Sequence, residues 1–464
     1  MILVAADTAA GSRSLRFSRT ETCSVRDDDV IPYQVRQSGI ETRAVPLARD
    51  FVRIAAAVHL ADRQVRRSVR SGHRPRRFSL TVPVSDARLW RPIGGLIERM
   101  ATFASQDIWH LKFSTKKKIV PSPLGSNRKC DVIALFSGGL DSLCGAAHLA
   151  ASAQRVLLLS HSPPGHDRVL EMVASLPEAI GSETPSTFQS ATMSVVPQYR
   201  GPELRRNMFQ EFTRRTRPFL YLSLASAAAI ATGAGRVQMS ENGALGASLP
   251  FRKSHYGPRI TRQGHSFMLE GFEEILAGLR PGMPPIQFAN PFRARTKGEA
   301  CGSLGASAAA ARLTLSCEYA GQQVARLKNW ARRHDKDRDL TSVRQCGLCV
   351  PCVVRRAALK AAGIQDDEND YYFHAPGVLR DTRDGVEPFG HGKAPPLYHF
   401  SSVQPFYAAH FARAILAMKV GDFAVQYIEE LWALRPRVDT KSRMRQAFQL
   451  QRRFAEELLG FLDE

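Results

Sequence analysis

The chain has 464 residues, of which 44% are hydrophobic, and its formal net charge is +21. This length is enough for two or three domains that each bury a core of their own. The charge favours a polyanionic partner or substrate, such as a nucleotide, a nucleic acid or an acidic protein. No run of about 18 uncharged apolar residues occurs, which excludes a membrane span, and the N-terminal residues do not follow the order of a signal peptide. We therefore expect a cytoplasmic protein.

Residues 1–125 contain no recognisable catalytic motif and are predicted to form an accessory α+β domain. Alternating apolar residues at 14–17 and 78–84 predict strands, and the spacing at 50–69 predicts a helix. The arginine-rich segment 63–77 is either a phosphate-contacting patch or a solvated helix face and loop, and it lacks the interleaved aromatic residues that would stack on bases. A linker rich in proline, glycine and serine then ends this region.

Residues 128–362 alternate between strand and helix patterns. We predict four strands, at 132–136, 155–160, 190–196 and 236–239. A long helix is predicted at 214–232 and ends at Gly233. This alternation predicts an α/β fold with a doubly wound, mostly parallel sheet that carries helices on both faces. In such sheets ligands bind outside the carboxyl ends of the strands.

The first of these strands is followed at once by Ser-Gly-Gly-Leu-Asp-Ser and then by a helix. The glycines let backbone N–H groups approach an anion, the serine hydroxyls can donate, and the helix N-terminus favours negative charge. The segment is neither a Walker A loop nor GxGxxG. An ordinary glycine-rich turn would explain the glycines but not the two serines and the aspartate together. The predicted nucleotide-phosphate site consists of Phe136, Ser137, Gly138, Gly139, Leu140, Asp141 and Ser142.

Two further loops should lie at the same edge of the sheet, at 161–165 and 240–246. His161 in the first would lie near the adenine or the ribose. Ser240 and Asn242 in the second would meet the α-phosphate or the acceptor. For either loop a plain connection between strand and helix is the alternative.

Eight cysteines are too few for a disulfide scaffold in a chain of this length. Cys346, Cys349 and Cys352 are spaced so that a turn entering a helix can direct three sulfurs inward. Tetrahedral Zn2+ needs a fourth ligand, for which Cys317 is the preferred candidate and Cys301 the alternative. A closed four-cysteine site is structural. An iron–sulfur cluster and a redox-active thiol pair are the other interpretations.

Residues 363–464 are predicted to form a helical C-terminal region. Helical apolar spacing is found at 405–419, 421–434 and 440–462, after a turn-rich segment. We expect a small helical bundle that either stabilises the sheet domain or binds a partner.

The SGGLDS loop, followed far downstream by Ser316, Cys317 and a CGxCxxCxxR run, resembles the 7-cyano-7-deazaguanine synthases (QueC), a family of PP-loop ATP pyrophosphatases. Two more segments are similar to that family. Arg217 precedes FLYLSLA, which resembles the family's FLSLA helix, and residues 296–299 (TKGE) resemble its TKxE segment. The resemblance covers residues 130–362, including a four-cysteine zinc module near 317–352.

The resemblance implies a PP-loop, HUP-like fold and an enzyme that uses ATP to convert a deazapurine carboxylate into an amide and then a nitrile, with a structural Zn2+. It also implies that ATP binds on the SGGLDS loop, where Asp141 would help to hold Mg2+. Positioning and charge neutralisation would supply most of the catalysis. The candidate catalytic residues are Ser137, Asp141, Ser142, Lys297 and Arg217, the last two as cations for the pyrophosphate.

The N-terminal domain and the C-terminal helical region are additions that the housekeeping synthase lacks, and they are similar to QueC-like proteins of bacterial anti-phage defence operons, in particular those of the Qat system. Expected partners are ATP, a carboxylate-bearing substrate and proteins of the same operon; nucleic acid contact and a homodimer stay open. The acceptor is a deazapurine, a free nucleobase or the terminus of a partner protein. The alternatives are a nucleotide-sensing or DNA-associated defence subunit without turnover, a housekeeping queuosine-precursor synthase, and a sulfur-transferring PP-loop enzyme.

Overall fold

The computed structural model describes residues 17–26, 29–38, 40, 45–65, 75–115, 129–152, 154–161, 186–197, 211, 213–247, 249, 261–262, 264–320, 322–334, 339–383, 398, 402–427 and 440–463. Most of the predicted loop at 161–165, and the linker that follows residue 115, lie outside these residues.

The strands of the described residues form two sheets. They are β1 (Phe17–Arg26), β2 (Asp29–Ser38), β3 (Arg77–Val84), β4 (Ile108–Thr115), β5 (Val132–Leu135), β6 (Arg155–Ser160), β7 (Thr187–Pro197), β8 (Arg236–Gln238) and β9 (Gln287–Ala289). The larger sheet has the order β1-β2-β7-β6-β5-β8-β9, and the smaller sheet pairs β3 with β4.

Five neighbouring strands of the larger sheet, β7-β6-β5-β8-β9, are parallel to one another. The chain moves outward from β5 through β6 to β7, and then returns to place β8 on the other side of β5. The strand order therefore reverses between β5 and β8, which is where sheets of this type bind ligands. The predicted α/β fold with a parallel sheet is confirmed, and an antiparallel hairpin, β1 with β2, extends its β7 edge.

The helices connect and cover these strands. They are α1 (Pro46–Gln64), α2 (Ala87–Trp90), α3 (Gly94–Ser105), α4 (Leu140–Ala150), α5 (Arg217–Thr232), α6 (Gly243–Gly246), α7 (Ser266–Leu279), α8 (Lys297–Cys301), α9 (Gln322–His334), α10 (Val350–Ala361), α11 (Ala375–Arg383), α12 (Gln404–Ala417), α13 (Val420–Gln426) and α14 (Thr440–Leu462). Two 3-10 segments, Gly302–Leu313 and Glu368–Asp370, complete the set that the structure describes.

Strand β5 is buried on both faces. Ile133 belongs to a core with residues of α1, α5 and α7, whereas Val132 and Ala134 belong to a core with residues of α4, α8 and the longer 3-10 segment. A parallel strand covered by helices on both faces has a continuous apolar sequence, because both sets of alternating side chains are shielded from water. Helix α5 ends as predicted, with Gly233 in the left-handed conformation at φ 78°.

The N-terminal residues share a core with the main sheet. Helix α1 packs against α5, and β3, which is the strand predicted at 78–84, pairs in parallel with β4. A buried polar network reinforces this contact. Asp62 of α1 forms an ion pair with Arg76 and accepts hydrogen bonds from the hydroxyls of Thr213, at 3.1 Å, and Thr216, at 2.8 Å.

The C-terminal helices share a second core with the cysteine-rich segment. The predicted helices at 405–419 and 440–462 correspond to α12 and α14. Helix α13 covers the first part of the predicted helix at 421–434, and residues 428–434 lie outside the described residues. None of the helices that the structure describes has the length and apolar character needed to cross a membrane.

Candidate active site and metal centre

The SGGLDS segment forms a tight turn between β5 and α4. Gly138 has a φ of 75°, in the left-handed region that favours glycine, and Gly139 is the N-cap of α4. Because Gly139 has no side chain, no cap of its own covers the first N–H groups of the helix, and those groups and the helix dipole can act on an anion. The Ser142 hydroxyl donates to the Gly139 carbonyl at 2.7 Å, and Ser137 is exposed at the mouth of the turn.

The loop's apolar members have their side chains in the core. Phe136 and Leu140 are only 2% and 1% exposed, so only their backbone is available to a nucleotide. The Phe136 N–H donates to Leu159 at 2.9 Å, and its carbonyl accepts from the Ser160 hydroxyl at 2.7 Å. The turn is thus fixed to the neighbouring strand β6 by backbone and side-chain hydrogen bonds.

Three residues that were predicted from separate segments, Asp141, Lys297 and Asn242, lie in contact. Lys297 forms an ion pair with one carboxylate oxygen of Asp141 at 2.5 Å, and the Asn242 amide donates to the other at 3.1 Å. Lys297 is the first residue of α8, and Asn242 is the N-cap of α6, where its side-chain oxygen accepts from Leu245 at 3.0 Å. Both are buried. Each of these side chains is therefore oriented by a helix start.

Glu241 joins this cluster and was not among the predicted site residues. Burial, together with the negative charge of Asp141, raises the pKa of Glu241 to about 8, against the opposing effect of Lys297. Burial alone would lower the pKa of Lys297, but the ion pair with Asp141 raises it above its usual value. At neutral pH the cluster therefore holds an ionised lysine beside a carboxyl group that is largely protonated. The sequence pattern that could have indicated Glu241 was the position of a carboxylate in the loop that follows β8.

The fifth parallel strand also contributes to the cluster. Asn290 follows β9, and its amide donates to the Glu241 carbonyl at 2.8 Å while its side-chain oxygen accepts from Phe292 at 3.0 Å. Strands β5, β8 and β9 thus each deliver polar residues to one edge of the sheet. Ser240, by contrast, packs against α4. The Ser240 hydroxyl occupies the space that a side chain at Gly145 would fill.

His161 and Arg217 lie beside a different group of residues. His161 follows β6, and its ring centroid is 5.4 Å from that of Tyr221. Burial, followed by the positive charges of Arg63, His161 and Arg217, lowers the pKa of His59. Arg217 and His161 therefore both lie near His59, which belongs to α1.

The four predicted zinc ligands come together. The sulfur atoms of Cys317, Cys346, Cys349 and Cys352 all lie within 4.8 Å of one another, and each residue is buried. The sulfur atoms of Cys349 and Cys352 are 3.3 Å apart, and those of Cys317 and Cys349 are 4.0 Å apart. Tetrahedral zinc with Zn–S bonds of about 2.3 Å requires sulfur separations of about 3.8 Å. The cluster has the size of a four-cysteine metal site.

Hydrogen bonds around the sulfurs also suit thiolate ligands. The Cys317 sulfur accepts from the N–H groups of Cys346, at 3.3 Å, and Tyr319, at 3.4 Å. Hydrogen bonds from the other three thiols lower the pKa of Cys317, whereas burial raises the pKa of Cys349 and Cys352. A bound cation would remove this conflict, because it replaces the thiol protons with its own positive charge.

Cys301, the alternative fourth ligand, lies elsewhere. Its sulfur is 3.9 Å from that of Cys144, between α8 and α4. The interval of 29 residues from Cys317 to Cys346 contains α9, a helix that carries Arg326, Lys328 and three further basic residues before residue 335 and no acidic residue. The segment between Cys317 and Cys346 therefore contains a cationic helix and leaves the sulfur cluster intact.

The four-cysteine cluster is joined to the SGGLDS loop through one short segment. The N–H of Leu315, two residues before Cys317, donates to the Gly138 carbonyl at 3.1 Å. Arg355, fully buried on α10, donates to the hydroxyl of the neighbouring Thr314 and to the hydroxyl of Tyr371 at 2.8 Å. Sequence reasoning missed this connection, since neither Thr314 nor Leu315 belongs to a chemical motif.

The sequence was compared with protein-family models and with curated proteins, and neither comparison gives a match.

Proposed function

We propose that the chain is an ATP-dependent adenylating enzyme of the PP-loop type, similar to 7-cyano-7-deazaguanine synthase (QueC), that forms a C–N bond and acts in the cytoplasm as part of a bacterial anti-phage defence system such as Qat. The observation that carries the proposal is the coordination of Asp141. A carboxylate in the first turn of the SGGLDS helix is held by Lys297 and Asn242, at the point where the order of the parallel strands reverses. Asp141 and Lys297 belong to segments that resemble the family, and Asn242 was predicted from its place in a loop at the same edge of the sheet.

In the proposed reaction the turn binds the β- and γ-phosphates of ATP through its N–H groups and the hydroxyls of Ser137 and Ser142. A substrate carboxylate oxygen attacks the α-phosphorus, the bond to the bridging oxygen breaks, and pyrophosphate leaves. An amine then attacks the acyl carbon and AMP leaves. Lys297 stabilises the negative charge that develops on the pyrophosphate.

Asp141 and Glu241 are the residues that would hold Mg2+. Their oxygen atoms are the ligands that Mg2+ prefers, and the burial of Glu241 beside Asp141 is costly without a further cation. The ion would supply charge neutralisation on the phosphates. Zn2+ at the four cysteines would have a structural role, because a site with four protein ligands leaves no position for a substrate.

Pyrophosphate release tests this proposal. The double variant Ser137→Ala plus Asp141→Ala should abolish release from ATP in the presence of a deazapurine carboxylate and ammonium. The matched control is Asp131→Ala plus Ser152→Ala, which removes the same two side-chain types from the opposite end of the same strand and helix. Equal release by both double variants would contradict the proposal, as would a wild-type protein that forms only ADP and phosphate.

A DNA-associated or nucleotide-sensing subunit without turnover is the second candidate. It is favoured by the net charge of +21 and by the cationic helix α9. Such a subunit would bind duplex DNA with an affinity that falls steeply with salt, by a slope of about 0.9 for each phosphate contacted, and it would release no pyrophosphate. We further propose that the partners are proteins of the same operon, and a second copy of the chain.

A further inference from the structure

The C-terminal helix α14 reaches the candidate active site on two sides. Gln451 donates from its amide to the carbonyl of Ala244 in α6 at 2.8 Å, and Leu450 packs against Gly243. One and a half turns further along, Glu457 contacts the start of α8. Helix α14 therefore touches both short helices that hold Asp141, α6 through its N-cap Asn242 and α8 through its first residue Lys297.

The contact between Glu457 and α8 adds to the helix's own capping, which is complete. One carboxylate oxygen of Glu457 accepts from the hydroxyl of Thr296, the N-cap of α8, and the other accepts from the Gly298 N–H at 3.3 Å. The Thr296 hydroxyl accepts in turn from the Glu299 N–H at 3.1 Å. A Cβ atom at Gly298 would lie 2.5 Å from the Glu457 carboxylate, so this approach depends on a glycine.

A second residue of α14 secures the same capping box. Arg453, four residues before Glu457 and therefore on the same helix face, forms an ion pair with Glu299 at 2.6 Å. Glu299 also accepts from the Thr296 N–H at 2.9 Å. The two ends of the box are thus each held from α14, and between them lies Lys297, whose ammonium group is 2.5 Å from Asp141.

We propose that Glu457 is a positioning residue for the candidate active site, which holds the N-terminus of α8 so that Lys297 stays aligned with Asp141. This inference rests on the proposed function for its kinetic consequences. Helix α8 has only five residues, and a helix this short depends on contacts outside itself for its placement. If Glu457 had only a structural role, altering its carboxylate would change the stability of the protein and nothing else.

The ionisation of Glu457 provides a readout that a structural role would not move. Burial raises the pKa of Glu457 to about 7, against hydrogen bonds from Thr296 and Gly298 that lower it. The charged groups that act on it are Glu299 on α8 and Arg453 on its own helix, and Lys360 of α10 binds the nearby carbonyl of Gly460 at 2.7 Å. The ionised form accepts both hydrogen bonds, so turnover should rise with pH through about 7.

The test compares Glu457→Gln, which keeps the size of the side chain, with Glu456→Gln on the exposed face of the same helix. We expect Glu457→Gln to lower kcat for pyrophosphate release about tenfold, with the KM for ATP nearly unchanged, and to remove the rise in turnover near pH 7. Glu456→Gln should behave as the wild type. Equal kcat values and equal pH profiles in both variants would overturn the inference.

Labelling of Lys297 distinguishes this outcome from a failure of the proposed function. Acetic anhydride modifies lysines in proportion to their exposure and free-amine content, and mass spectrometry reads each lysine separately. We expect Glu457→Gln to increase the labelling of Lys297 at least threefold relative to Glu456→Gln, whether or not the wild type releases pyrophosphate. If the wild type is inactive and Lys297 labelling still rises, the proposed function fails and the positioning role stands. Unchanged labelling of Lys297 overturns the positioning role.

Discussion

The SGGLDS loop and the four-cysteine cluster arrange charge in opposite ways. At the loop, the Asp141 carboxylate is paired with the Lys297 ammonium group, and the exposed Ser137 and the helix start without a side-chain cap leave hydrogen-bond donors available. At the cysteine centre, four groups that ionise with the same sign are packed together, buried, and surrounded by backbone N–H donors. At the loop, the charges of Asp141 and Lys297 compensate each other. At the cysteine cluster, four thiolates would need an enclosed cation to compensate their charge.

The two regions are also in direct contact, and in this contact the segment beside the cysteines holds the loop. Leu315, anchored near Cys317, donates to the carbonyl of Gly138, which is the residue of the loop in the left-handed conformation. The cysteine centre therefore supports the loop, whereas the paired charges at Asp141 do not touch the sulfurs. Damage to the metal centre should impair the loop, and damage to the loop should leave the metal in place.

The largest effect is expected for Cys349→Ser. Loss of one ligand should lower the zinc content from one ion per chain to well below half, and the unfolding temperature should fall sharply, because structural zinc contributes about 10–16 kcal/mol of binding free energy in small zinc domains. Zinc analysis and thermal unfolding provide the measurement. The control is Cys130→Ser, a buried thiol that contacts Thr232 and no other cysteine within the described residues. Full zinc content in the Cys349 variant would contradict a four-cysteine site.

Lys297→Met should have the next largest effect, and only on the loop. Removal of a cation that stabilises developing charge typically lowers kcat by about 10²–10³-fold, while the zinc content should stay at that of the wild type. Lys112→Met, at an exposed position of β4, is the control. The further variant Asp141→Asn plus Lys297→Met separates lost catalysis from the cost of an unpaired carboxylate. A Lys297 variant with normal turnover would remove that residue from the mechanism.

Arg355→Lys tests the connection between the two regions. Arg355 has hydrogen-bond partners at Thr314, Ala311 and Tyr371, and lysine cannot reach all three. We expect a loss of about 3 kcal/mol in the free energy of unfolding, from two buried hydrogen bonds of a charged donor, together with weaker ATP binding. Urea unfolding and a nucleotide titration measure the two effects. Arg88→Lys, at an 85% exposed side chain, should change neither. Weaker unfolding stability with unaltered ATP binding would show that the regions are independent.

A pH-dependent effect is expected from Glu241→Gln in the nucleotide-free protein. The pKa of Glu241 is raised to about 8, so between pH about 4.5 and 8 the folded state retains a proton that the unfolded state has lost. The free energy of unfolding of the wild type should therefore fall with rising pH in this range, by up to about 1.4 kcal/mol per pH unit. The glutamine variant should lack this component, and Glu456→Gln should keep it. Parallel pH profiles for all three proteins would place Glu241 in water.

Patterns that depend on neighbouring residues were predictable from the sequence. The continuous apolar run of β5, the glycine at the end of α5 and the cysteine spacing each report a local requirement of the backbone or of a metal. Contacts between distant segments were not. The approach of Glu457 to Thr296 joins residues 161 positions apart, with no local pattern that pairs them. Leu315 meets Gly138 through its backbone, so no side-chain type indicates that contact. Arg217 and His161 were predicted from a motif and from the end of a strand, and nothing in the sequence indicated that both would lie near His59.

The most direct test of the central claim follows one oxygen atom. The protein is incubated with ATP, ammonium and a deazapurine carboxylate whose carboxylate oxygens are 18O, and the products are analysed by mass spectrometry. Adenylation transfers one carboxylate oxygen to the α-phosphorus, so we predict equal amounts of AMP and pyrophosphate, with one 18O atom in AMP. The label in inorganic phosphate, or nucleotide products without label, would contradict an adenylating active site at the SGGLDS loop.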